Sequence, residues 1–327
     1  MLSKKAYNQV QRYVLEHSRL GIPVMMSSEC PHGHQALDGY LLPVNLLAGA
    51  TFDPAMVRAA YRVSGRQLQN MGVDLALMSM LDVLRDPRWG RSEECYGEDP
   101  YLSARMAEAA VIGMQESGPE VVAKHFAAQG EGTGGVNASA ARIGERELRE
   151  IHFPPAAAAI KAGAKGIMAA YNEIDGVYCH ANRWLLNDVI RKEMGFDGIV
   201  MSDGVAIDQL DSMTGDNVVS GALALQSGVD VGLWDEAFGK LEEAVRYQLE
   251  WYPEHCTEQT CFYPGMWETL QWMAAKGIRL VIVTNKVETT AKKLTNHFCS
   301  DLPFEEVWGN DQNRPLKPDP IAGKTVV

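Results

Sequence analysis

Short apolar runs alternate with longer amphipathic stretches from the start of the chain to about residue 248. The runs lack polar–apolar alternation, which indicates strands covered on both faces. Candidate strands lie at 22–27, 73–79, 119–124, 165–170, 197–202 and 228–233, and candidate helices at 4–18, 53–71, 101–117, 145–162, 183–194, 217–227 and 235–250. Strands that alternate with helices form parallel βαβ units. The pattern therefore predicts an α/β fold around a parallel sheet.

The number of strands narrows the architecture. A closed (β/α)₈ barrel needs eight strands in about 250 residues, whereas this pattern supplies six candidates and opens with a helix. We therefore expect residues 1–248 to form a TIM-like barrel that is incomplete at its N-terminus.

The character of the sequence changes near residue 250. We expect 249–262 to be a linker, followed by a helix at 265–276, a strand at 278–283, a helix at 287–297 and a proline-containing loop from 310 onwards. Residues 263–327 number about 65, too few for a complete doubly wound domain. They predict a small C-terminal α/β, Rossmann-like fragment.

Composition excludes several classes of partner. The net charge of −12 argues against binding to nucleic acid or anionic membranes. The sequence shows no apolar run of transmembrane length and no secretory signal, so we expect a cytoplasmic protein. The six cysteines are scattered without a CxxC pair, so we expect free thiols and no metal site. We expect no cofactor either.

One carboxylate lies where a predicted strand ends. The apolar run 199–201 stops at Ser202, and Asp203 and Gly204 follow it. Active sites of parallel α/β barrels lie at the C-terminal ends of the strands, where a carboxylate serves as a nucleophile or a general base. An aspartate that caps the next helix would give the same pattern, and the segment alone leaves both interpretations open.

Polar side chains also follow other candidate strands. They are Glu29, with His32 just beyond, Lys124, His125 and Tyr171, and a long polar loop at 82–99 adds Arg88 and Arg91. Singly, each is explained by surface ion pairing or structural hydrogen bonding. Together they favour one polar pocket for a hydroxyl-rich ligand, because charged groups bind neighbouring hydroxyls strongly. Trp89 or Trp234 could stack on a sugar face.

Several motifs carry a family resemblance. They are Arg19–Pro23, Glu29-Cys30-Pro31-His32-Gly33, Ala50–Pro54, Asp82–Arg91, Tyr96–Pro100, Lys124-His125-Phe126, Glu145–Leu148, Tyr171-Asn172 and Gly195–Asp203. In this order, over about three quarters of the chain, residues 1–248 resemble the catalytic barrel of glycoside hydrolase family 3, retaining β-glycosidases of the β-glucosidase type.

The resemblance implies a role for each matching residue. Asp203 matches the nucleophile, and Tyr171 matches an aromatic residue near it. Lys124, His125 and Arg91 match the groups that hold sugar hydroxyls. Glu29 matches an acidic residue that binds a pair of hydroxyl groups. A small carbohydrate, a β-glucoside or a related sugar, is the implied substrate. The family usually has an aromatic residue where this chain has Gly204, and we expect the glycine to leave room in the pocket.

The second catalytic carboxylate has no match. Retaining hydrolysis needs an acid/base about 5–5.5 Å from the nucleophile. In most of the family it comes from a later domain, and in one subgroup a histidine follows Lys-His-Phe. The loop 127–135 offers only Glu131, which we expect to be solvent-exposed. We therefore expect impaired hydrolysis, with an inactive or sugar-binding protein as the alternative.

The C-terminal segment resembles a different family. Tyr263–Gly265, Glu268–Leu270, Val281–Lys286 and Lys317–Pro320 resemble haloacid dehalogenase-like hydrolases of the phosphoglycolate phosphatase type. Thr284 matches the hydroxyl that contacts phosphate and Lys317 the lysine that offsets its charge. The nucleophilic Asp-x-Asp motif has no counterpart, so phosphatase activity is the least favoured of the three hypotheses.

Overall fold

The structure, a computed structural model, describes residues 4–36, 38–258 and 260–311. The chain divides into two compact units, residues 1–241 and 242–327. No helix in these described ranges is long and apolar enough to cross a membrane.

The first unit is built on a parallel sheet. Its strands are β1 (Ser27–Glu29), β2 (Leu75–Met80), β3 (Glu120–Phe126), β4 (Gly166–Ala169), β5 (Glu173–Ile174), β6 (Val177–Tyr178) and β7 (Ile199–Met201). The sheet runs in the order β1-β2-β3-β4-β7, and Met201 forms a further parallel bridge with Val231. β5 and β6 pair separately as an antiparallel hairpin. Parallel strands that are neighbours both in the sheet and along the chain form the wall of a barrel. The five strands and the bridge at Val231 give this wall six positions, as the sequence predicts.

Helices cover one side of this wall. They are α1 (Lys4–His17), α2 (Asn45–Gly49), α3 (Pro54–Asn70), α4 (Pro100–Gln115), α5 (Glu145–Glu147), α6 (Phe153–Lys161), α7 (Asp211–Thr214), α8 (Asn217–Ser227) and α9 (Glu236–Gly239), with π-helical segments at Leu148–His152 and Trp184–Glu193. Aspartates start three of the longer helices. Asp53 accepts a hydrogen bond from Met56 N at 3.0 Å, and Asp99 and Asp216 cap α4 and α8 in the same way. Each such cap stabilises its helix by about 1 kcal/mol.

Side chains along the strands alternate between two cores. Leu75, Leu77, Val122, Met168 and Met201 form one small buried cluster. The residues between them, including Ala76, Val121, Ala123, Ile167 and Val200, join the larger cluster that packs against the helices. Because side chains alternate along a strand, the small cluster marks the inner face of the wall. Continuing the alternation places Glu29, Lys124 and Asp203 on that inner face, at the C-terminal ends of their strands.

Two predicted strands differ from the observed ones. The strand predicted at 22–27 is observed at Ser27–Glu29, because Pro23 has no N–H and Met26 N donates to the Asp74 carboxylate at 2.8 Å. The strand predicted at 228–233 is reduced to the bridge at Val231. The N–H groups of Asp230 and Val231 both donate to one carbonyl, that of Val200, which leaves a single bridging pair.

The helix predicted at 145–162 is present but irregular. It runs as α5, the π-helical segment Leu148–His152 and α6. Pro154 and Pro155 lack the N–H groups that would bond to the preceding turn, which accounts for the wider turn there.

The second unit is a single β-α-β arrangement with two further helices. Its elements are α10 (Leu241–His255), α11 (Met266–Ala275), β8 (Leu280–Val287), α12 (Glu288–Phe298) and β9 (Phe304–Asn310). β8 and β9 pair in parallel, with α12 between them in sequence. α10 continues into the segment predicted as a linker, with Pro253 inside the helix. β9 was not predicted, and the predicted tail loop falls on residues 312–327, which lie outside the described ranges, as does Lys317.

Candidate active site

Two of the predicted pocket residues form a buried ion pair. Glu29, at the end of β1, contacts the ammonium group of Lys124, on β3. The Lys124 side chain is 4% exposed and that of Glu29 is 38% exposed. A lysine is rarely buried unless it is paired, so Glu29 is the group that allows Lys124 to lie inside the wall. The exposed part of Glu29 remains available to a ligand.

His125 departs from the alternation of β3. Its neighbours Lys124 and Phe126 pair with Met168 and Ala169, so the register shifts by one residue at His125. Such irregularities re-aim side chains next to active sites. Here the shift brings His125 Nε2 to 3.3 Å from Asp203 Oδ2, while Nδ1 lies 2.8 Å from Asp82 Oδ2. His125 therefore bridges two carboxylates.

Asp82 belongs to the same cluster, although the sequence prediction did not single it out. It is 1% exposed and accepts hydrogen bonds from the backbone N–H groups of His125, Gln129 and Gly130. Burial alone would raise its pKa, but the hydrogen bonds and charges of His125 and Arg91 outweigh burial and lower the pKa. Ionised Asp82 thus accepts from Nδ1–H of His125 and leaves Nε2 facing Asp203. The sequence feature that could have identified Asp82 is its position just after β2.

Arg91 closes the other side of His125. Its guanidinium binds both carboxylate oxygens of Glu94, at 2.7 and 2.9 Å, and lies 3.3 Å from His125 Nε2. Burial disfavours the charge, yet the hydrogen bond and charge of Glu94 prevail and raise the Arg91 pKa. The guanidinium also lies 5.9 Å from the ring centre of Trp89. Arg91 is therefore a fixed cation beside the nucleophile candidate.

The two oxygens of Asp203 have different surroundings. Oδ1 accepts a hydrogen bond from Gly204 N at 2.8 Å. Oδ2 is buried and accepts no hydrogen bond of good geometry from the described residues, although His125 Nε2 lies 3.3 Å away. One oxygen is thus anchored and the other keeps its lone pairs. The 11% exposure of the Asp203 side chain therefore belongs to atoms other than Oδ2.

His180 fixes the backbone at this point, a contact that the sequence prediction missed. Its Nε2 accepts a hydrogen bond from Asp203 N at 3.2 Å. Burial lowers the pKa of His180 to about 4, so the ring is neutral at pH 7 and can act as the acceptor. His180 lies in a 3₁₀ turn, Cys179–Ala181, after the β5–β6 hairpin. No strand end or motif marked it.

The expectation that Gly204 leaves room in the pocket is wrong. A Cβ atom built on Gly204 would lie 3.3 Å from Cε3 of Trp234, 3.4 Å from Cζ3 and 3.4 Å from the Tyr171 hydroxyl. That hydroxyl donates to the Gly204 carbonyl at 2.7 Å. Burial, followed by the charge of Asp203, raises the Tyr171 pKa. The indole of Trp234 and Tyr171 therefore fill the space beside the glycine.

The two tryptophans suggested as sugar platforms differ. Trp89 is 2% exposed and its indole N–H donates to Asn137 Oδ1 at 2.9 Å, so it is a core residue and cannot stack on a sugar. Trp234 is 77% exposed.

Glu131 is not solvent-exposed as expected. Its side chain is 23% exposed, and Oε2 lies 3.6 Å from both Arg85 Nε and His152 Nε2. It lines a cavity of about 520 Å³ together with Arg85, Asp86, Arg88 and Arg142. Arg88 is the one member of the predicted polar pocket that lines this cavity, and none of the residues to which the resemblance gives a role does so. Glu131 therefore faces a different space from Asp203.

The second unit has its own, largely apolar cavity. Thr284 and Lys286 line a space of about 200 Å³ with Phe262, Ile282, Leu294 and Phe298 among its walls. The Lys286 ammonium donates to the Tyr252 hydroxyl at 2.6 Å. None of the residues that line this cavity is acidic. Across the described ranges, no cluster of three or more His, Cys, Asp or Glu side chains could hold a metal ion.

The structure connects the six predicted site residues in two groups. Arg91, His125, Asp203 and Tyr171 form one continuous set of contacts through His125 and Gly204. Glu29 and Lys124 form the second, joined to the first through the adjacent residues Lys124 and His125.

Similar proteins carry the same region. A β-xylosidase of Formosa agariphila is 37% identical over 71% of this chain and 34% of its own length. A periplasmic β-glucosidase of Salmonella typhimurium is 34% identical over 73% of this chain and 32% of its own length. The chain thus spans about a third of the length of the curated relatives it matches.

Solved β-glucosidase structures superpose on the first unit. A β-glucosidase of Erythrobacter marinus gives a TM-score of 0.73 at 35% identity and covers 75% of this chain and 34% of its own. A Listeria innocua β-glucosidase in complex with glucose gives 0.71 at 31% identity, over 76% of this chain and 35% of its own. These neighbours have an N-terminal TIM barrel, which confirms the predicted fold class.

Family models divide the chain in two. Residues 233–326 match the haloacid dehalogenase-like hydrolase model, as the C-terminal motifs predict. Residues 2–251 match the N-terminal domain of glycosyl hydrolase family 3. The chain belongs to glycosyl hydrolase family 3.

Proposed function

We propose that the first unit cleaves β-glycosidic bonds, of a β-glucoside or a related sugar, with Asp203 as the nucleophile. The observation that carries the proposal is the Asp203 carboxylate at the C-terminal end of β7, in contact with His125 and beside the charged guanidinium of Arg91. The names of the relatives, β-glucosidases and β-xylosidases, support the same reaction.

In the first step a carboxylate oxygen of Asp203 forms a bond to the anomeric carbon while the bond from that carbon to the leaving oxygen breaks. The electron pair of the broken bond goes to the leaving oxygen. Water then attacks the anomeric carbon as the bond from that carbon to Asp203 breaks, which releases Asp203 as a carboxylate, and the water gives up one proton to solvent. Arg91 and His125, both within reach of the nucleophile, keep the carboxylate in place between turnovers.

The buried charges provide the binding site for the sugar that remains on the enzyme. Lys124 offers N–H donors and Glu29 offers acceptor oxygens, so the pair matches two neighbouring hydroxyl groups. Arg91 adds N–H donors beside His125. Because these groups are fixed by one another, little reorganisation is needed when the sugar binds.

The leaving oxygen also requires a proton, and the nearby carboxylates are committed to other partners. Glu29 is paired with Lys124, Glu94 with Arg91, and Asp82 with His125. Asp235 accepts hydrogen bonds from Ser202 Oγ and Ile207 N. Glu131 faces a different cavity. Within the described ranges, no carboxylate near Asp203 is therefore free to act as the acid. We propose that cleavage by this chain depends on the leaving group's own ability to depart as an anion.

The test compares two substrates of the same sugar. Dinitrophenyl β-glucoside releases a stable anion, whereas cellobiose needs protonation. Since general acid catalysis is worth about 10²–10⁴-fold, we expect measurable turnover of the aryl glucoside and none of cellobiose. Turnover should show a burst and a slow steady state, and added azide should accelerate the second step, because azide attacks without a general base.

Two outcomes separate the proposal from its alternatives. Efficient cellobiose hydrolysis without azide would show that an acid/base operates, with Glu131 as the first residue to mutate. Glucose binding with no turnover of either substrate would favour the sugar-binding alternative. That alternative is supported by the same commitment of the neighbouring carboxylates to basic partners.

A further inference from the structure

A large aromatic ring lies exposed beside the nucleophile. Trp234 is 77% exposed. Two of its ring carbons lie 3.3 and 3.4 Å from the point where a Cβ atom on Gly204 would be. Gly204 is the residue whose N–H holds Asp203 Oδ1. The ring is therefore next to the reacting carboxylate without being part of the hydrophobic core.

Hydrogen bonds on both sides fix the position of Trp234. Before it, Leu233 N donates to Ser202 Oγ at 2.7 Å and Leu233 O accepts from Val205 N at 2.9 Å. After it, Asp235 accepts from Ile207 N at 2.7 Å. The segment that carries Trp234 is thus bonded at both ends to the segment that carries Asp203.

The backbone at Trp234 is unusual. Its φ angle is +64°, and that of Val205, across from it, is +61°. Bulky and β-branched residues rarely adopt positive φ, and such conformations persist where the surroundings impose them, often at functional sites.

The depth of the site assigns the ring to one part of the substrate. Lys124 and His125 have side chains that are 4% and 0% exposed, so the charged groups lie at the deep end. Asp203, 11% exposed in its side chain, contacts His125, and the next residue, Gly204, adjoins the exposed indole. The sugar that stays on the enzyme occupies the charged end. The leaving group consequently points towards solvent and towards Trp234.

We propose that Trp234 is the binding platform for the leaving group and selects β-glycosides whose leaving group is itself a ring, a sugar or an aryl group. This inference rests on the proposed function. Sugar rings have an apolar face of C–H groups, and aryl rings stack on indole in the same way. A rigid, exposed indole binds such faces at little cost in conformational entropy.

The experiment measures binding rather than turnover. Dissociation constants for glucose, which lacks a leaving group, and for cellobiose, which has a sugar leaving group, are measured calorimetrically on the full chain. The variants are Trp234→Ala and Trp234→Phe, and the control is Trp272→Ala, an exposed tryptophan of the second unit. Loss of an aromatic anchor should weaken cellobiose binding by about tenfold. Trp234→Phe should recover most of it, and glucose binding should not change.

The outcomes distinguish this inference from the proposed function. If the wild-type chain binds glucose and cellobiose and Trp234→Ala binds both equally well, the inference is wrong while the proposed function stands. An equal loss for glucose and cellobiose would also overturn it, because the ring would then act on the retained sugar. If the wild-type chain binds neither sugar, the proposed function and the inference fail together.

Discussion

The two units of this chain keep different parts of the enzymes they resemble. In the first unit, the buried ring of His125 contacts three ionisable side chains, those of Arg91, Asp203 and Asp82. In the second unit, Thr284 and Lys286 line a cavity whose other walls are mainly apolar, and its lining includes no acidic group.

The contrast shows that a fold and its chemistry are retained separately. A parallel β-α-β arrangement persists in the second unit because apolar contacts along β8 and α12 stabilise it whatever the cavity contains. Buried charges are costly unless each has its partner. Their presence in the first unit therefore indicates a function, whereas the fold of the second unit alone does not.

The largest expected effect is the loss of the nucleophile. Asp203→Asn removes the charge and the nucleophilic oxygen but preserves the shape of the side chain. We expect turnover of dinitrophenyl β-glucoside to fall by about 10⁴-fold or more. Steady-state kinetics with the purified variant measure the loss.

Asp197→Asn is the matched control for this variant. Asp197 is exposed and precedes the same strand, β7. Its substitution should leave turnover unchanged. If Asp203→Asn and Asp197→Asn lost turnover equally, Asp203 would have no special role in the reaction.

Removal of Asp82 should have the next largest effect, on stability. Asp82→Ala leaves His125 and the N–H groups of Gln129 and Gly130 without their buried acceptor. Breaking a buried pair in this way costs about 3–5 kcal/mol in the free energy of unfolding. Urea denaturation of the variant and the wild-type chain gives the difference.

The second unit supplies the contrasting substitution. Thr290 is 2% exposed, and its hydroxyl has no hydrogen-bond partner among the described residues. Thr290→Val should therefore be neutral or slightly stabilising. If Asp82→Ala cost no more than Thr290→Val, the charged set of the first unit would not be a structural network.

His180 should make stability depend on pH. Its pKa is about 4 when folded, against 6.5 for an ordinary histidine, because burial disfavours the charged ring. Between these values the unfolded chain binds the proton and the folded chain does not. Stability should therefore be lost as pH falls from 6.5 towards 4, by about 3 kcal/mol in total. Unfolding curves from pH 7 to pH 4 measure this loss.

His180→Gln isolates the contribution of the ring. Glutamine keeps a hydrogen-bond acceptor for Asp203 N but does not titrate. The difference in stability between the variant and the wild type should be smaller at pH 7 than the difference in what they lose by pH 4. The variant should lose less stability than the wild type as the pH falls towards 4. Parallel curves for the two proteins over this range would contradict the neutral, buried state of His180.

The smallest expected effect is in the second unit. We expect no magnesium-dependent hydrolysis of p-nitrophenyl phosphate, because Thr284 has no nucleophilic carboxylate in its cavity. Thr284→Ala should therefore change nothing. Magnesium-dependent activity that disappears in Thr284→Ala or Lys317→Ala would overturn this contrast between the units.

The sequence predicted the wall of the first unit well, because buried parallel strands are continuous apolar runs. It was less successful where single hydrogen bonds decide the outcome, as at Met26 and at the bridge of Val231. Strand ends identified Asp203, Glu29, Lys124, His125 and Tyr171, since parallel strands end at one edge. Period-two alternation then explains why three of them share the inner face.

The missed contacts depend on tertiary structure. His180 lies in a turn, and only the fold brings its ring to Asp203 N. In the sequence, Gly204 suggested open space. The space beside a glycine depends on which side chain fills it, and here the side chain of Trp234 does so. Glu131 could not be assigned to a cavity without coordinates, because a loop residue has no periodic face.

The central claim is that Asp203 forms a covalent bond with the sugar. A 2-deoxy-2-fluoro-β-glucoside with a dinitrophenolate leaving group should trap that intermediate, because the fluorine slows its hydrolysis and no base assists water. Mass spectrometry after proteolysis should find one 2-fluoroglucosyl group, on the peptide that contains Asp203. A label on another carboxylate, or no label on folded wild-type protein, would contradict the account.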